Sequence, residues 1–190
     1  MTSITILPSS SAPTSILSSP TLARGVGDER AAFECMPVDD FARAKLKRQV
    51  WQIEVDAFGW PRLLFGIWPT ITKPNKTLIA AYQGGTFVQQ HKMVGYCLSA
   101  RKKTHQGQAA WYIESVGVRH DYRRRGIGRE LVRCACAGND MTWLHVRVSN
   151  TAAIRMYESL GFVGRQVEMR FYKNNSEDAL VMVLEGQCKT

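Results

Sequence analysis

The sequence predicts one α/β domain of the α+β kind, a mixed and mostly antiparallel sheet of about six to seven strands flanked by about four helices. Three observations predict it. The chain has 190 residues, enough for one ordinary domain with a core of its own. Hydrophobic residues make up 45% of it, which excludes a wholly disordered protein. Finally, apolar residues recur with period two in some segments and with helical spacing in others, in an order that mixes strands and helices throughout.

Residues 1–30 are expected to be a disordered tail and residues 31–190 the folded domain. The tail is rich in Ser and Thr, contains Pro8, Pro13 and Pro20, and has no acidic residue before Asp28. Such a stretch buries too little apolar surface to offset the entropy of ordering it. Low acidity also suits an organellar transit peptide. Arg24 is the only basic residue before Arg30, however, so a plain tail on a cytoplasmic protein is favoured, with organellar targeting left open.

Phe33 to Met36 is the first strand candidate. Pro37, Asp39 and Asp40 open a helix with acids at the positive end of its dipole, and Leu46, Val50, Ile53 and Ala57 continue it at helical spacing. Gly59-Trp60-Pro61 ends that helix, and an aromatic loop or short helix runs to Trp68. Thr77–Tyr82 and Met93–Ala100 read as strands around a Gly84-Gly85 turn. Gln108–Val118 is a third, with Tyr112, Glu114, Val116 and Val118 expected on one face. Arg129–Ala137 is helical, Thr142–Val148 extended and Thr151–Leu160 helical, before closing strands at Phe162–Tyr172 and Ala179–Leu184.

Lys and Arg number 25 against 16 Asp and Glu, a net charge of +9, and a surplus of six falls within residues 101–135. That concentration fits either a nucleic-acid surface or a site for a phosphorylated cofactor. The basic segment lacks the aromatic interleaving of a nucleic-acid stripe, so nucleic acid is the remote alternative. No apolar run approaches the ~18 residues of a membrane span. The five cysteines, Cys35, Cys97, Cys134, Cys136 and Cys188, are odd in number and form no CxxC pair, which argues against a disulfide framework and for a reducing compartment. His91, His105, His120 and His145 lack metal-ligand spacing, so no metal is expected.

The chemistry concentrates where Val116-Gly117-Val118 runs into Arg123-Arg124-Arg125-Gly126-Ile127-Gly128 and a helix start at Arg129. A helix N-terminus offers unpartnered amides and positive potential, and glycines let an anion approach the backbone. This segment therefore reads as a pyrophosphate cradle. It is not a P-loop, because no Gly-Lys pair occurs in the chain, and Leu131 stands where a dinucleotide fingerprint needs its third glycine.

Further on, Asn150-Thr-Ala-Ala153-Ile-Arg-Met-Tyr157-Glu-Ser-Leu-Gly161-Phe162 has the form NxxAxxxYxxxGF. Together with Arg123-x-x-Gly126-x-Gly128, it resembles the GNAT superfamily of acetyl-CoA-dependent N-acetyltransferases, over roughly residues 33–185. The resemblance implies acetyl-CoA as cosubstrate, with amides of Arg124 to Arg129 on its pyrophosphate and the backbone of Val116, Gly117 and Val118 pairing with its pantetheine arm. It also implies that the Asn150 side chain touches that arm and that Tyr157 protonates the departing thiolate. A buried phenol can pack its ring and still present its hydroxyl to a cleft.

The strand Tyr112-Ile113-Glu114-Ser115-Val116-Gly117 and the pattern Leu144-His145-Val146 resemble the protein N-terminal acetyltransferases of the Naa-fifty, Naa-sixty and RimI-like kind. In the first two types a Tyr at the Tyr112 position and a His at the His145 position hold a water that removes the amine proton. Glu114 is a reserve base. Phe58-Gly-Trp60-Pro61 and Phe171-Tyr172 resemble the two aromatic segments that close over the substrate peptide in such enzymes. The implied acceptor is thus the N-terminal α-amine of a peptide or protein, with a Lys side chain or small amine as the alternative. No membrane segment is expected, and an auxiliary subunit or ribosome association stays open.

Overall fold

The computed structural model describes the backbone of residues 33–37, 40–58, 73, 75–83, 92–104 and 106–189, with side chains from Arg48 to Ala57 and from Lys73 onward. The expected tail, the aromatic segment with Trp60, Pro61 and Trp68, and the Gly84-Gly85 turn lie outside the described residues. In chain order the elements are β1 (Phe33–Pro37), α1 (Asp40–Phe58), β2 (Lys76–Gln83), β3 (Lys92–Lys103) and β4 (Ala109–Val118). After a 3-10 turn at His120–Tyr122 come α2 (Ile127–Cys136), β5 (Met141–Arg147), α3 (Thr151–Ser159), β6 (Val163–Tyr172) and β7 (Glu177–Glu185). Three α-helices thus fall within the described residues, and the fourth expected helix, a short one before Trp68, falls outside them. Helix α2 starts two residues earlier than Arg129, because Gly126 takes a left-handed φ of 80° and becomes its N-cap.

The strands form one seven-stranded sheet in the order β1-β2-β3-β4-β5-β7-β6. Every neighbouring pair is antiparallel except β4 and β5. Helices cover both faces. On one, Val50 and Ile53 of α1 pack on Leu78, Ala80, Tyr96 and Leu98. On the other, Leu131 and Val132 of α2 and Tyr157 of α3 pack on Val94, Cys97, Ile113, Leu144 and Val146. Leu131 is fully buried there, and its truncation to Ala would cost about 2–5 kcal/mol.

Two departures from regular pairing shape the centre of this sheet. The register of β3 against β4 steps from Ser99↔Ile113 to Leu98↔Ser115, so Glu114 is an extra residue, a bulge. The expected common face of Tyr112, Glu114, Val116 and Val118 is therefore corrected. Val116 and Val118 pack on the α2/α3 face, whereas Tyr112 packs with Ala110, Trp143 and Val181 on the α1 face. Beyond the bulge, Ser115 reaches Glu54 of α1 at 3.3 Å and Tyr96 at 2.9 Å, and Tyr96 also bonds Glu54. At Gly117 an added Cβ would lie 2.7 Å from the Tyr96 ring and 2.9 Å from Ile53, so only glycine lets α1 approach β4 this closely.

The second departure is a fork. Strands β4 and β5 pair only at Trp111↔Thr142, Tyr112↔Trp143 and Ile113↔Leu144. Past that point β4 stays with β3 as far as Val118, and β5 stays with β7 as far as Arg147. The edge of β4 from Ser115 to Val118 consequently faces the fork.

Candidate active site

The glycine-bearing turn lies at the open end of the fork. Gly126 carries no side-chain cap, and the first bond of α2 runs from Glu130 N to Gly126 O at 3.1 Å. The amides of Ile127, Gly128 and Arg129 thus have no acceptor inside the helix, and the helix dipole adds positive potential at the same point. A Cβ built on Gly126 meets nothing within 4 Å, so the turn borders open space. Arg124 also adopts a left-handed φ, 62°, turning successive amides toward one side.

The arginines differ in what they hold. Arg123 donates to Val118 O at 3.1 Å and to Asp56 O at 3.2 Å, tying the turn to the end of α1. Arg125 donates to Asp121 O at 3.0 Å and lies over the Tyr122 ring, while Arg129 donates to Ser159 Oγ at 2.7 Å. The backbone is therefore the directed donor in this turn, and the arginines supply a more diffuse positive field.

Across the fork, Asn150 is the N-cap of α3, its Oδ1 accepting from Ala153 N at 3.2 Å. Capping occupies the oxygen only, so the amide nitrogen of that side chain can donate elsewhere. Tyr157, one helix face further, is buried against Phe162. Burial pushes its phenol up, and the thiol of Cys97 adds to the effect, so the hydroxyl stays protonated across the working pH range.

On the α1 face the structure brings Tyr112 and His145 together from different strands. The Tyr112 hydroxyl lies 3.0 Å from His145 Nδ1, and Tyr112 packs on Trp143 with ring centroids 4.6 Å apart. The β6–β7 hairpin closes over them. Phe171 stacks on the imidazole at 4.0 Å with an interplanar angle of 9°, and the Tyr172 hydroxyl points to His145 O at 3.4 Å. Arg147 holds the hairpin in place, with its guanidinium 3.8 Å from the Tyr172 ring centroid and bonds to Asn174, Asn175 and Glu177. Hydrogen bonds from Ser149, Arg147 and Asn175 hold the Glu177 carboxyl down at about 2.

Glu114 projects from the bulge onto the same face, paired with the buried Lys76 and, at 2.9 Å, with Lys102. Burial alone would push its carboxyl up, but the two lysines outweigh burial and hold it below the ordinary carboxylate range. Lys102 also lies 4.1 Å from the centroid of the Tyr112 ring. Phe58 ends α1, and Trp60 and Pro61 lie outside the described residues. Among the described residues no group of His, Cys, Asp and Glu is arranged to hold a metal, and no helix is long and apolar enough to cross a membrane.

Two residues of this face escape sequence reasoning. Glu168 of β6 has Oε1 3.1 Å from His145 Nε2, and Arg147 organises the hairpin. Neither belongs to a motif. Glu168 reaches His145 across the intervening strand β7.

The fold that carries this site is shared with known proteins. A family model described as the acetyltransferase (GNAT) family matches residues 47–162. The N-alpha-acetyltransferase RimI of Mycobacterium tuberculosis is 31% identical over 134 residues, 69% of this chain and 78% of that protein. The crystal structure of the ribosomal-protein-S18-alanine N-acetyltransferase from Escherichia coli superposes with a TM-score of 0.63 at 23% identity, covering 83% of this chain and 96% of that one. Arabidopsis thaliana NAA60 in complex with a bisubstrate analogue superposes with a TM-score of 0.60 at 18% identity, covering 83% of this chain and 99% of that one. The chain belongs to the acetyltransferase (GNAT) family, and it is an N-acetyltransferase whose acyl donor is acetyl-CoA.

Proposed function

We propose that this enzyme acetylates the N-terminal α-amine of peptides and proteins. One observation carries the reading: the Tyr112 hydroxyl and His145 Nδ1 lie 3.0 Å apart on the α1 face, at the mouth of the fork. An α-amine has a pKa of about 7.7–8.0 against about 10.4 for a Lys side chain. A Tyr–His pair is strong enough to take a proton from the first at neutral pH and poorly matched to the second. Glu114, held ionised by two lysines, is the weaker proton acceptor of the two candidates.

Acetyl-CoA supplies the activated acetyl thioester. The amides from Arg124 to Arg129 hold its pyrophosphate, the free edge of β4 at Val116, Gly117 and Val118 pairs with the pantetheine amides, and the Asn150 side-chain nitrogen contacts the same arm. Tyr112 and His145 take the amine proton directly or through one water, and the freed nitrogen attacks the thioester carbonyl. A C–N bond forms, the C–S bond breaks, the Tyr157 hydroxyl gives the leaving thiolate its proton, and the second proton of the acylated nitrogen restores Tyr157 through solvent. Phe171 and Tyr172 bound the gap in which an extended chain end is confined, and Phe58, Trp60 and Pro61 are the further peptide contacts that the resemblance implies. A free terminus threads that gap, whereas an internal Lys must bring two flanking backbones past it.

The test is kcat/KM on matched peptides, one with a free N-terminus and one N-blocked with an internal Lys. The free terminus is expected to react far faster. Preference for the blocked Lys peptide would overturn the α-amine reading and leave the family intact.

A further inference from the structure

We propose that Glu168 is a positioning residue that completes a Tyr112–His145–Glu168 proton relay; this rests on the reading that Tyr112 and His145 remove the acceptor's proton. The three groups come from β4, β5 and β6. Tyr112 Oη lies 3.0 Å from His145 Nδ1, and Glu168 Oε1 lies 3.1 Å from His145 Nε2, so the imidazole has a hydroxyl on one nitrogen and a carboxylate on the other.

This placement is built into the hairpin. Strand β7 separates β5 from β6, and the register partner of Glu168 on it is Ala179, small enough for the carboxylate to reach across. Beyond Glu168 the register of β6 shifts, Arg170 takes a left-handed φ of 52°, and its amide donates to Asp178 Oδ1 at 2.8 Å. That bulge turns Phe171 onto the imidazole, where the stacked ring fixes the plane that presents Nε2 to Glu168.

Glu168 lies within ion-pair distance of Nε2 but off the line of a hydrogen bond, so its charge, rather than a shared proton, favours the proton on Nε2 and leaves the Nδ1 lone pair for the Tyr112 hydroxyl. When the acceptor's proton moves onto the Tyr112 oxygen, the tyrosine's own proton passes to Nδ1 and the ring becomes an imidazolium. Glu168 stays ionised and stabilises that charge. The ring returns its proton to solvent after the acetylated product leaves. Among the described residues, the other ionisable groups around the imidazole are Tyr172 from β6 and, one layer out, Lys102 over the Tyr112 ring with Glu114 and Lys76, and Arg147 over the Tyr172 ring with Glu177. Strand β7 contributes the apolar Val181 at this register. Both outer cations carry carboxylates of their own, Glu114 on Lys102 and Glu177 on Arg147, so Glu168 is the carboxylate that answers the charge of the ring itself.

The test is the pH profile of kcat and kcat/KM for Glu168→Gln and Glu168→Asp on one free-N-terminal peptide, repeated in a His145→Ala background. Glu168→Gln is expected to lower kcat about tenfold, as for partial loss of general-base catalysis. Peptide KM should change little, and the acid limb should move to lower pH because the imidazolium loses its counter-charge. Glu168→Asp should recover most of the rate, and in the His145→Ala background Glu168→Gln should cost nothing further. Parental rate and profile in Glu168→Gln, a change confined to KM, or an equal loss in both backgrounds would overturn the relay. A His145→Ala enzyme with parental kcat would overturn the base reading and the relay with it.

Discussion

Gly126 separates backbone strain from anion binding at one position. Its φ is 80°, and a Cβ there meets nothing within 4 Å, so Ala and Glu would both incur conformational strain and neither would meet a clash. An L-residue in the left-handed region costs about 1–2 kcal/mol, which in a domain of this size lowers Tm by about 2–8 °C. The two variants diverge only on the ligand. A carboxylate about 5 Å from a phosphate charge, at an effective dielectric near 20, is repelled by about 3 kcal/mol, roughly a hundredfold in affinity. Acetyl-CoA at about 100 times its Kd should stabilise the parent by about 2.7 kcal/mol. In differential scanning calorimetry with and without acetyl-CoA, both variants should start from the same lowered Tm. Gly126→Ala should keep most of the ligand shift and Gly126→Glu should lose it. Equal shifts in the parent and in Gly126→Glu would refute the cradle, and an unchanged Tm in the apo variants would refute the strain.

Tyr112→Phe and His145→Ala should each lower kcat by about 10²-fold while sparing acetyl-CoA affinity, and steady-state kinetics on the double variant should show a loss far short of the product. Tyr172→Ala should raise peptide KM with less effect on acetyl-CoA binding, as the proposed acceptor site requires of the ring that Arg147 holds in place; an unchanged KM in peptide titrations would count against that role. Glu114→Gln should destabilise the fold by about 1–3 kcal/mol near neutral pH, as for loss of charge-assisted hydrogen bonds. Because the folded carboxyl lies below its ordinary 4.5, this contribution is complete above about pH 5 and is lost as pH falls through 4.5 and then through the folded value. Urea melts of parent and variant should therefore converge in acid; a gap that widens there would reverse the sign assigned to Glu114.

What the chain encodes locally is legible in its residues alone. Period-two runs and helical spacing locate each described strand and helix to within a few residues, because those patterns report which side of an element meets apolar neighbours. The Arg-rich, Gly-containing turn and the Asn150-to-Phe162 pattern are legible for a related reason. An anion-binding helix start needs a backbone conformation that glycine supplies, and Asn is among the residues that cap a helix at its first position. Tyr112 and His145 can be paired only through family resemblance, since 33 residues separate them and nothing local to either names the other.

The tertiary structure decided what depends on one strand's offset against another. The bulge at Glu114 inverts the side-chain alternation of β4, moving Tyr112 to the α1 face while Val116 and Val118 remain on the other. Alternation read from sequence assumes an unbroken ladder, and an inserted residue is invisible until its partner strand is known. The same limit hid Glu168, which reaches His145 across β7 from the register position it holds opposite Ala179. Sequence by itself thus determined the elements, the glycine-bearing turn and the family, all encoded in contiguous residues. Sheet order, the fork and the grouping of Tyr112, His145 and Glu168 were decided by long-range pairing, whose energy belongs to two strands at once and is written in neither alone.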